Sequence, residues 1–360
     1  MAEKSVILVT GVTGYWGSRV AARLANEAGI HVIGLDAEQP TGEIQDIDFI
    51  QADAWNPALP DLLRLEQVDT VCHLAFVPAT RPREAAFEQN VMGTTRILGA
   101  CAQAGVRKVV LKSSTMVYGA RPGNSAFLAE SHALRGSRRY GYVRDMVEIE
   151  AFCRGYRHQA PDTLMTILRF ASIIGPTADT PMTRFLREPG APSLLGFDPM
   201  IQLVHEDDVV ETLLHAVHRD APGVFNVAAR DALPLSKIRG LAGKPPLLVF
   251  HPVAYWGTNM LGNRRLELGR FLPMDPDYLR YPWVADLTRM GDELGFEPRH
   301  TAEEALHEFA EQQQLRRTLS EAATLARSED RLRQVMQQRQ QARESLVTDI
   351  PSAEEGGGDD

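Results

Sequence analysis

The chain is poor in cysteine, in basic charge and in long apolar runs, and each shortage excludes something. Its three cysteines, Cys72, Cys101 and Cys153, lie far apart, form no CxxC pair and leave one over from any bridge. That excludes a disulfide scaffold and points to a reducing, cytoplasmic setting. Lys and Arg number 38 against 47 Asp and Glu, a formal charge of −9, so the clustered cations of a phosphate-backbone binder are missing and no nucleic-acid partner is expected. No apolar run approaches the roughly twenty residues that span a bilayer. The short N-terminal apolar run has no cleavage pattern and continues into glycines, so neither a membrane span nor an export signal is expected. With 44% hydrophobic and 24% charged residues, wholesale disorder and collagen-like repeats are excluded as well. A length of 360 residues suffices for one large domain or two unequal ones around a deep cleft.

What the chain does contain is alternation. Short β-branched runs predict strands over Ser5 to Thr10, His31 to Asp36, Asp48 to Ala52, Thr70 to Ala75, Val106 to Ser113 and Thr163 to Phe170. Helical spacing of apolar residues follows in Trp16 to Glu27, Ala85 to Ala104 and Tyr142 to Gly155. Later, Gln202 to His205 and Val224 to Ala228 read as short strands, and Asp207 to His218 as a helix capped by its own aspartates. Strand and crossover in turn imply an α/β fold, a doubly wound parallel sheet of about seven strands. From Gly175, Pro176, Pro181, Pro189, Pro192 and Pro199 break any long element, and Pro234 to Pro282, with Tyr255 and Trp256, suits a lobe covering a substrate. The expected division is a nucleotide-binding domain over 1–175 with 201–230 added, a smaller C-terminal lobe from 176–200 and 231–310, a helical tail over 311–350, and disorder over 351–360. Leucines 315, 319, 325, 332 and 346 recur near helical spacing, so 311–346 is expected to be an exposed helix, a weak coiled coil or a partner-binding tail.

The first strand runs into Thr10-Gly11-Val12-Thr13-Gly14-Tyr15-Trp16-Gly17, and a helix follows. Glycines let the backbone turn sharply, admit a pyrophosphate against bare N–H groups and let the helix start close to the sheet. Asp36 ends the second strand, where a carboxylate accepts from both hydroxyls of an adenosine ribose and repels a 2′-phosphate. No arginine follows it directly, so NAD is favoured over NADP.

The glycines are spaced Gly-x-x-Gly-x-x-Gly, and further segments stand in order. These are Asp53-Ala54, His73-Leu74-Ala75-Phe76, Asn90-Val91-Met92-Gly93-Thr94, Ser113-Ser114-Thr115-Met116-Val117-Tyr118-Gly119, Tyr140-Gly141-Tyr142-Val143-Arg144, Arg169-Phe170, Gly175-Pro176, Val204-His205-Glu206-Asp207-Asp208 and Leu294-Gly295-Phe296-Glu297-Pro298. On these, residues 5 to 310 resemble the extended short-chain dehydrogenase/reductases, the NAD-dependent epimerase/dehydratase family, whose fold is of the Rossmann type. The resemblance implies that Gly11, Gly14, Tyr15, Trp16, Gly17 and Asp36 hold NAD, that Asp53 and Ala54 meet the adenine, and that Leu74, Ala75 and Phe76 pass beneath pyrophosphate and ribose. It implies that Asn90 helps order the site, with His73 as support, and that the assembly is a homodimer.

Tyr140 and Arg144 lie four apart, which on a helix turns both to one face. A phenol, with a reference pKa of about 10, needs a fixed cation beside it to exchange protons near neutrality. Ser114, from another strand end, can hydrogen-bond the same reacting oxygen. In the family these roles fall to Ser or Thr, Tyr and Lys; here Arg144 stands where lysine is expected. A guanidinium can favour the phenolate and bond a cofactor ribose, so Tyr140 and Arg144 also count as cofactor contacts, but it cannot hand on a proton. Weakened or specialised chemistry is therefore expected. Met116 replaces the acid that family dehydratases carry two places after the Ser or Thr, which disfavours dehydration. Met200 to His205 lacks the arginine with which nucleotide-sugar enzymes hold a diphosphate. With the apolar stretch Phe250 to Leu261, this tilts the expected substrate toward a less charged, even lipid-like, small molecule. The leading expectation is an NAD-dependent oxidoreductase acting on an alcohol or ketone; the alternatives are an NAD-dependent sugar epimerase and a non-catalytic NAD-binding sensor that signals through 311–346. Glu211, His215 and His218 share a helix face, but histidines suit a helix C-terminus and no metal is expected.

Overall fold

The computed structural model describes residues 5–40, 42, 46–78, 82–188, 190–250 and 275–348. The chain opens β1 (Ser5–Thr10), α1 (Tyr15–Ala25), β2 (Ile30–Asp36), β3 (Asp48–Gln51), α2 (Leu59–Leu65) and β4 (Thr70–His73). It continues with α3 (Glu84–Phe87), a π-helical turn at Glu88–Met92, α4 (Gly93–Ala104), β5 (Lys108–Ser114), α5 (Gly141–Gln159) and β6 (Leu164–Phe170). Then come β7 (Ser172–Ile174), α6 (Pro181–Arg187), β8 (Ala191–Leu194), β9 (Met200–His205), α7 (Glu206–His218), β10 (Gly223–Val227), β11 (Ala232–Pro234), α8 (Leu235–Leu241), β12 (Pro246–Val249) and α9 (Ala302–Thr348).

Seven strands form one sheet in the order β10-β6-β5-β4-β1-β2-β3, every pairing parallel. The α/β expectation is met. Strands buried on both faces must be apolar on both, as Val-Ile-Leu-Val in β1 and Val-Val-Leu in β5 are. On one face Val20 and Leu24 of α1 meet Leu213 and Val217 of α7; on the other Leu98 and Cys101 of α4 meet Ile149 and Cys153 of α5. Each such side chain contributes about 1.5–3 kcal/mol by leaving water. All three cysteines are buried free thiols whose pKa values burial pushes up to about 12, which leaves them inert.

A third apolar cluster builds the lobe. It joins β7, β9 and β11, the β8–β12 pair, α6, α8 and Tyr278, Leu279 and Trp283 to Ala302, Ala305, Leu306 and Phe309 at the start of α9. Contacts divide the chain into two compact units, Met1–Ala310 and Glu311–Asp360. In the second, Leu315, Leu319, Leu332, Val335 and Met336 are exposed on the helix. Among the described residues no helix is long and apolar enough to cross a membrane. Tyr255, Trp256 and the 351–360 tail lie outside the described residues.

Two local expectations are corrected. The helix expected from Ala85 to Ala104 is interrupted by the π turn, which turns Asn90 fully inward. The cap of α7 is not its aspartates: His205 Nδ1 accepts the Asp207 N–H at 3.2 Å. The acids are drawn elsewhere, Glu206 to the N–H groups of Thr177 and Ala178, and Asp208 to those of Arg299 and His300.

Candidate active site

A parallel sheet offers a crevice beyond the carboxyl ends of its strands, where the order reverses. Here that point lies between β1 and β4, with Thr10 in register with His73. Gly11 takes φ +72°, and a Cβ there would stand 2.7 Å from the Ala75 backbone. A Cβ on Gly17 would overlap the Gly11 carbonyl, so only glycine lets α1 begin this close to β1. Gly14 caps α1 without a side-chain hydrogen bond, and the first turn carries no acid. The N–H groups of Tyr15, Trp16 and Gly17 therefore form a positive helix end suited to a pyrophosphate. The two aromatic side chains are occupied elsewhere. The Tyr15 hydroxyl is bonded to Thr177 and Arg19, with burial pushing its pKa up to about 12, and Trp16 packs against the sheet core under the Lys112 ammonium.

Asp36 Oδ2 accepts the Thr13 N–H at 3.0 Å and its hydroxyl at 2.6 Å, so this carboxylate shapes the glycine loop. Asp53 is exposed and accepts the Trp55 N–H, and Ala54 lies 3.7 Å from where a Gly93 Cβ would stand. Arg96 stacks 4.1 Å over Trp55 beside them. These groups fit a dinucleotide: an uncapped helix end for phosphate, carboxylates at two strand ends for hydroxyl and amino donors.

Beneath this surface runs one directed chain of hydrogen bonds. Leu74 N–H donates to Thr10 Oγ1, whose hydroxyl meets His73 Nδ1 at 2.7 Å; His73 Nε2 meets Thr94 Oγ1 at 2.9 Å, and Thr94 donates to the Asn90 carbonyl. Only an Nε2–H tautomer satisfies every member. Burial pushes the His73 pKa down to about 4, so the ring is neutral and structural, with Phe76 edge-on to it at 4.8 Å. Asn90 clasps both backbone groups of Val77 and donates to Asp145 Oδ2 at 2.9 Å.

Asp145, fully buried, is a residue the sequence did not single out. Its Oδ1 accepts from Arg144 Nε and Nη2 at 2.9 and 2.7 Å, and the guanidinium lies 4.9 Å over Phe87. Arg144 is thus fixed through Asp145 to Asn90. Tyr140 stands one residue ahead of α5 as its extended N-cap, φ −104° and ψ 117°, so the shared-face argument is replaced by a cap: the Arg144 N–H donates to the Tyr140 carbonyl at 2.9 Å. The Tyr140 ring packs against the lobe cluster that holds Met116 and Tyr278. Ser114 ends β5; its Oγ accepts the Met116 N–H at 3.2 Å, which leaves its own proton available to an oxygen in the crevice. Opposite, Tyr278 donates to the Met116 carbonyl at 2.7 Å, its pKa raised by burial, and buried Asp275 accepts from Ser137 at 2.6 Å. Only their proximity in space reveals these lobe residues.

Gln202, on the strand that lacks the expected arginine, uses its amide on both backbone groups of Ala285. Glu211 pairs with Arg23, His215 donates to the Leu294 carbonyl and His218 meets Glu27. His205, His300 and Glu308 bring potential ligand atoms within 4.8 Å of one another. Because His205 Nδ1 accepts an N–H, its proton belongs on Nε2, which is buried 3.2 Å from a Glu308 carboxylate oxygen without a hydrogen bond to it, the reverse of what ligation there requires.

Residues 7–228 match the sequence profile of the NAD dependent epimerase/dehydratase family. An uncharacterized protein of Mycobacterium tuberculosis is 36% identical over 315 residues, 84% of this chain and 83% of its own length. The UDP-glucose 4-epimerase of Azospirillum brasilense is 29% identical over 218 residues, 56% of this chain and 60% of that protein. The solved structure of MoeE5 in complex with UDP-glucuronic acid and NAD superposes with a TM-score of 0.65 at 25% identity, covering 87% of this chain and 100% of MoeE5.

Proposed function

The chain belongs to the NAD-dependent epimerase/dehydratase family, and from that premise we propose that it is an NAD-dependent epimerase of a nucleotide-linked sugar. The observation that carries the reading is Ser114. Its oxygen is committed to the Met116 N–H while its proton is not, which makes it a donor to a sugar oxygen at the carboxyl end of β5. Tyr140 takes the proton of the sugar hydroxyl and returns it, Ser114 holds the oxygen throughout, and Arg144, fixed on Asp145, anchors the cofactor ribose. Bound NAD supplies the electron pair acceptor for oxidation of the carbinol to a ketone and the donor for its reduction from the other face. Met116 offers a thioether where dehydration needs an acid.

The sugar-nucleotide names of MoeE5 and the Azospirillum enzyme support this reading over a lipid-like alcohol, and most of the Phe250 to Leu261 stretch that favoured the latter lies outside the described residues. The test is incubation of the purified chain with NAD and UDP-glucose or UDP-glucuronic acid. The expected result is the 4-epimer with no net absorbance of reduced nicotinamide, and a loss in Tyr140→Phe of about 10²–10⁴-fold in kcat, the range of general acid–base catalysis. Stoichiometric reduced nicotinamide with a released ketone instead identifies a net oxidoreductase. Tight NAD binding without any turnover identifies a sensor.

A further inference from the structure

Among the described residues three lysines are buried, and two of them are satisfied by the protein itself. Lys108 donates to the carbonyls of Val217 and Arg219 and to Asp220, and Lys244 donates to the carbonyls of Arg187 and Glu188. Lys112, 8% exposed, has neither a carboxylate nor a hydrogen-bond acceptor among the described residues. Its ammonium rests against two aromatic rings instead, 5.4 Å from the centroid of Trp16 and 5.9 Å from that of Tyr142. Such contacts offset part of the cost of leaving water and leave the charge itself unneutralised.

The sheet fixes where that charge stands. Thr10, His73 and Leu111 share one register row, the row in which β1 and β4 end, so Lys112 is the first residue of β5 beyond it, on the rim of the crevice. Alternation turns its side chain to the face of Val110, the face on which Trp16 packs from the first turn of α1. Tyr142 lies in the first turn of α5, between Tyr140 and Arg144. The ammonium therefore stands between the helix end suited to a pyrophosphate and the residues assigned to the sugar and the cofactor ribose, two places before Ser114 on its own strand. The charge of Arg144 is met by Asp145, whereas that of Lys112 is met by no acid among the described residues.

The oxidised and reduced forms of a nicotinamide cofactor differ by one positive charge on the ring. An unneutralised cation lining the same water-poor crevice disfavours the charged ring and spares the neutral one. Resting on the reading that this crevice holds NAD, we infer that Lys112 biases the bound cofactor toward its reduced form. The lysine thereby sets how readily the site accepts a hydride, while Tyr140 and Ser114 handle the proton and the oxygen.

Titration of the full chain with NAD, NADH and ADP-ribose, read by calorimetry and by the fluorescence of reduced nicotinamide, tests this. ADP-ribose carries the pyrophosphate without the nicotinamide, and so separates an effect on the ring from a contact with phosphate. The parent chain is expected to bind NADH more tightly than NAD. Lys112→Met lowers the ratio of NADH to NAD affinity by about tenfold, a fall of about 30 mV in the potential of the bound two-electron couple. That change comes from NAD, whose affinity rises relative to ADP-ribose while the NADH to ADP-ribose ratio holds. Lys112→Arg, which keeps the charge, keeps the parent ratio, and Lys112→Gln repeats the measurement should the Met variant not fold. A ratio unchanged in Lys112→Met overturns the inference, and so does an equal loss of affinity for all three ligands, which would put the ammonium on the pyrophosphate. A lysine-dependent ratio with no epimerisation of any UDP-sugar upholds the inference and overturns the epimerase reading. Epimerisation with the ratio unchanged does the reverse, and a parent chain that binds none of the three ligands overturns both.

Discussion

Arg144 and Asp145 are neighbours in sequence whose partnership is settled by a third residue, Asn90. The buried Asp145 carboxylate receives two N–H groups of Arg144 on one oxygen and the Asn90 amide on the other. Arg144→Ala strips that carboxylate of its counter-charge. The Arg144 side chain is 22% exposed, so the loss is discounted from the buried-pair range to about 2 kcal/mol. Urea unfolding at pH 7 is expected to show that loss, and the double variant Arg144→Ala with Asp145→Asn to recover most of it; two additive losses would deny the coupling. At this scale the glycines were legible, because a positive φ at Gly11 and the closeness of α1 to β1 at Gly17 leave no other residue. Asp36 was legible by its place at a strand end. Asp145 was not, because its meaning depends on an asparagine 55 positions away.

Strands came through the sequence cleanly, since β-branched runs bounded by glycine and polar residues have few other structures open to them. The π turn did not, because one inserted residue leaves the apolar spacing of a helix almost intact while turning Asn90 inward. The same locality holds the chain that ties β1, β4 and α4 together through His73. Its folded pKa of about 4 lies below the ordinary 6.5, so the unfolded chain binds the extra proton. The stabilisation is complete above pH 6.5 and is lost as pH falls through the interval toward about 4. The gap between those two values corresponds to about 3 kcal/mol. His73→Gln, which cannot charge, is expected to be less stable than the parent at pH 7 and to lose most of that deficit by pH 4.5. Parallel stability curves for the two proteins across that interval would show that the histidine does not titrate on unfolding.

On the scale of the whole molecule, the cores and every residue assigned a role here fall within Met1–Ala310, while α9 continues to Thr348. Ala302, Ala305, Leu306 and Phe309 are buried in the lobe cluster, and beyond them Leu315, Leu319 and Leu332 are exposed. The fold class was legible from alternation alone. The lobe was legible only as a region of prolines and aromatics, because its side chains come from segments far apart in sequence: Met116, Leu194, Leu235, Tyr278 and Phe309 share one cluster. Helix beyond that cluster adds little by itself, as an isolated helix gains its stability from a buried face. A chain ending at Gln314 is therefore expected to melt within about 2 °C of the full chain and to bind NAD equally well. A chain ending at Thr301 loses Leu306 and Phe309, each a deletion on the scale of about 3–5 kcal/mol, and is expected to expose the lobe and fail to fold. Thermal unfolding and NAD titration of both truncations decide the matter. A large destabilisation at Gln314 would mean that the exposed leucines of the second unit are covered in the intact protein, as a surface for a second copy or another partner requires.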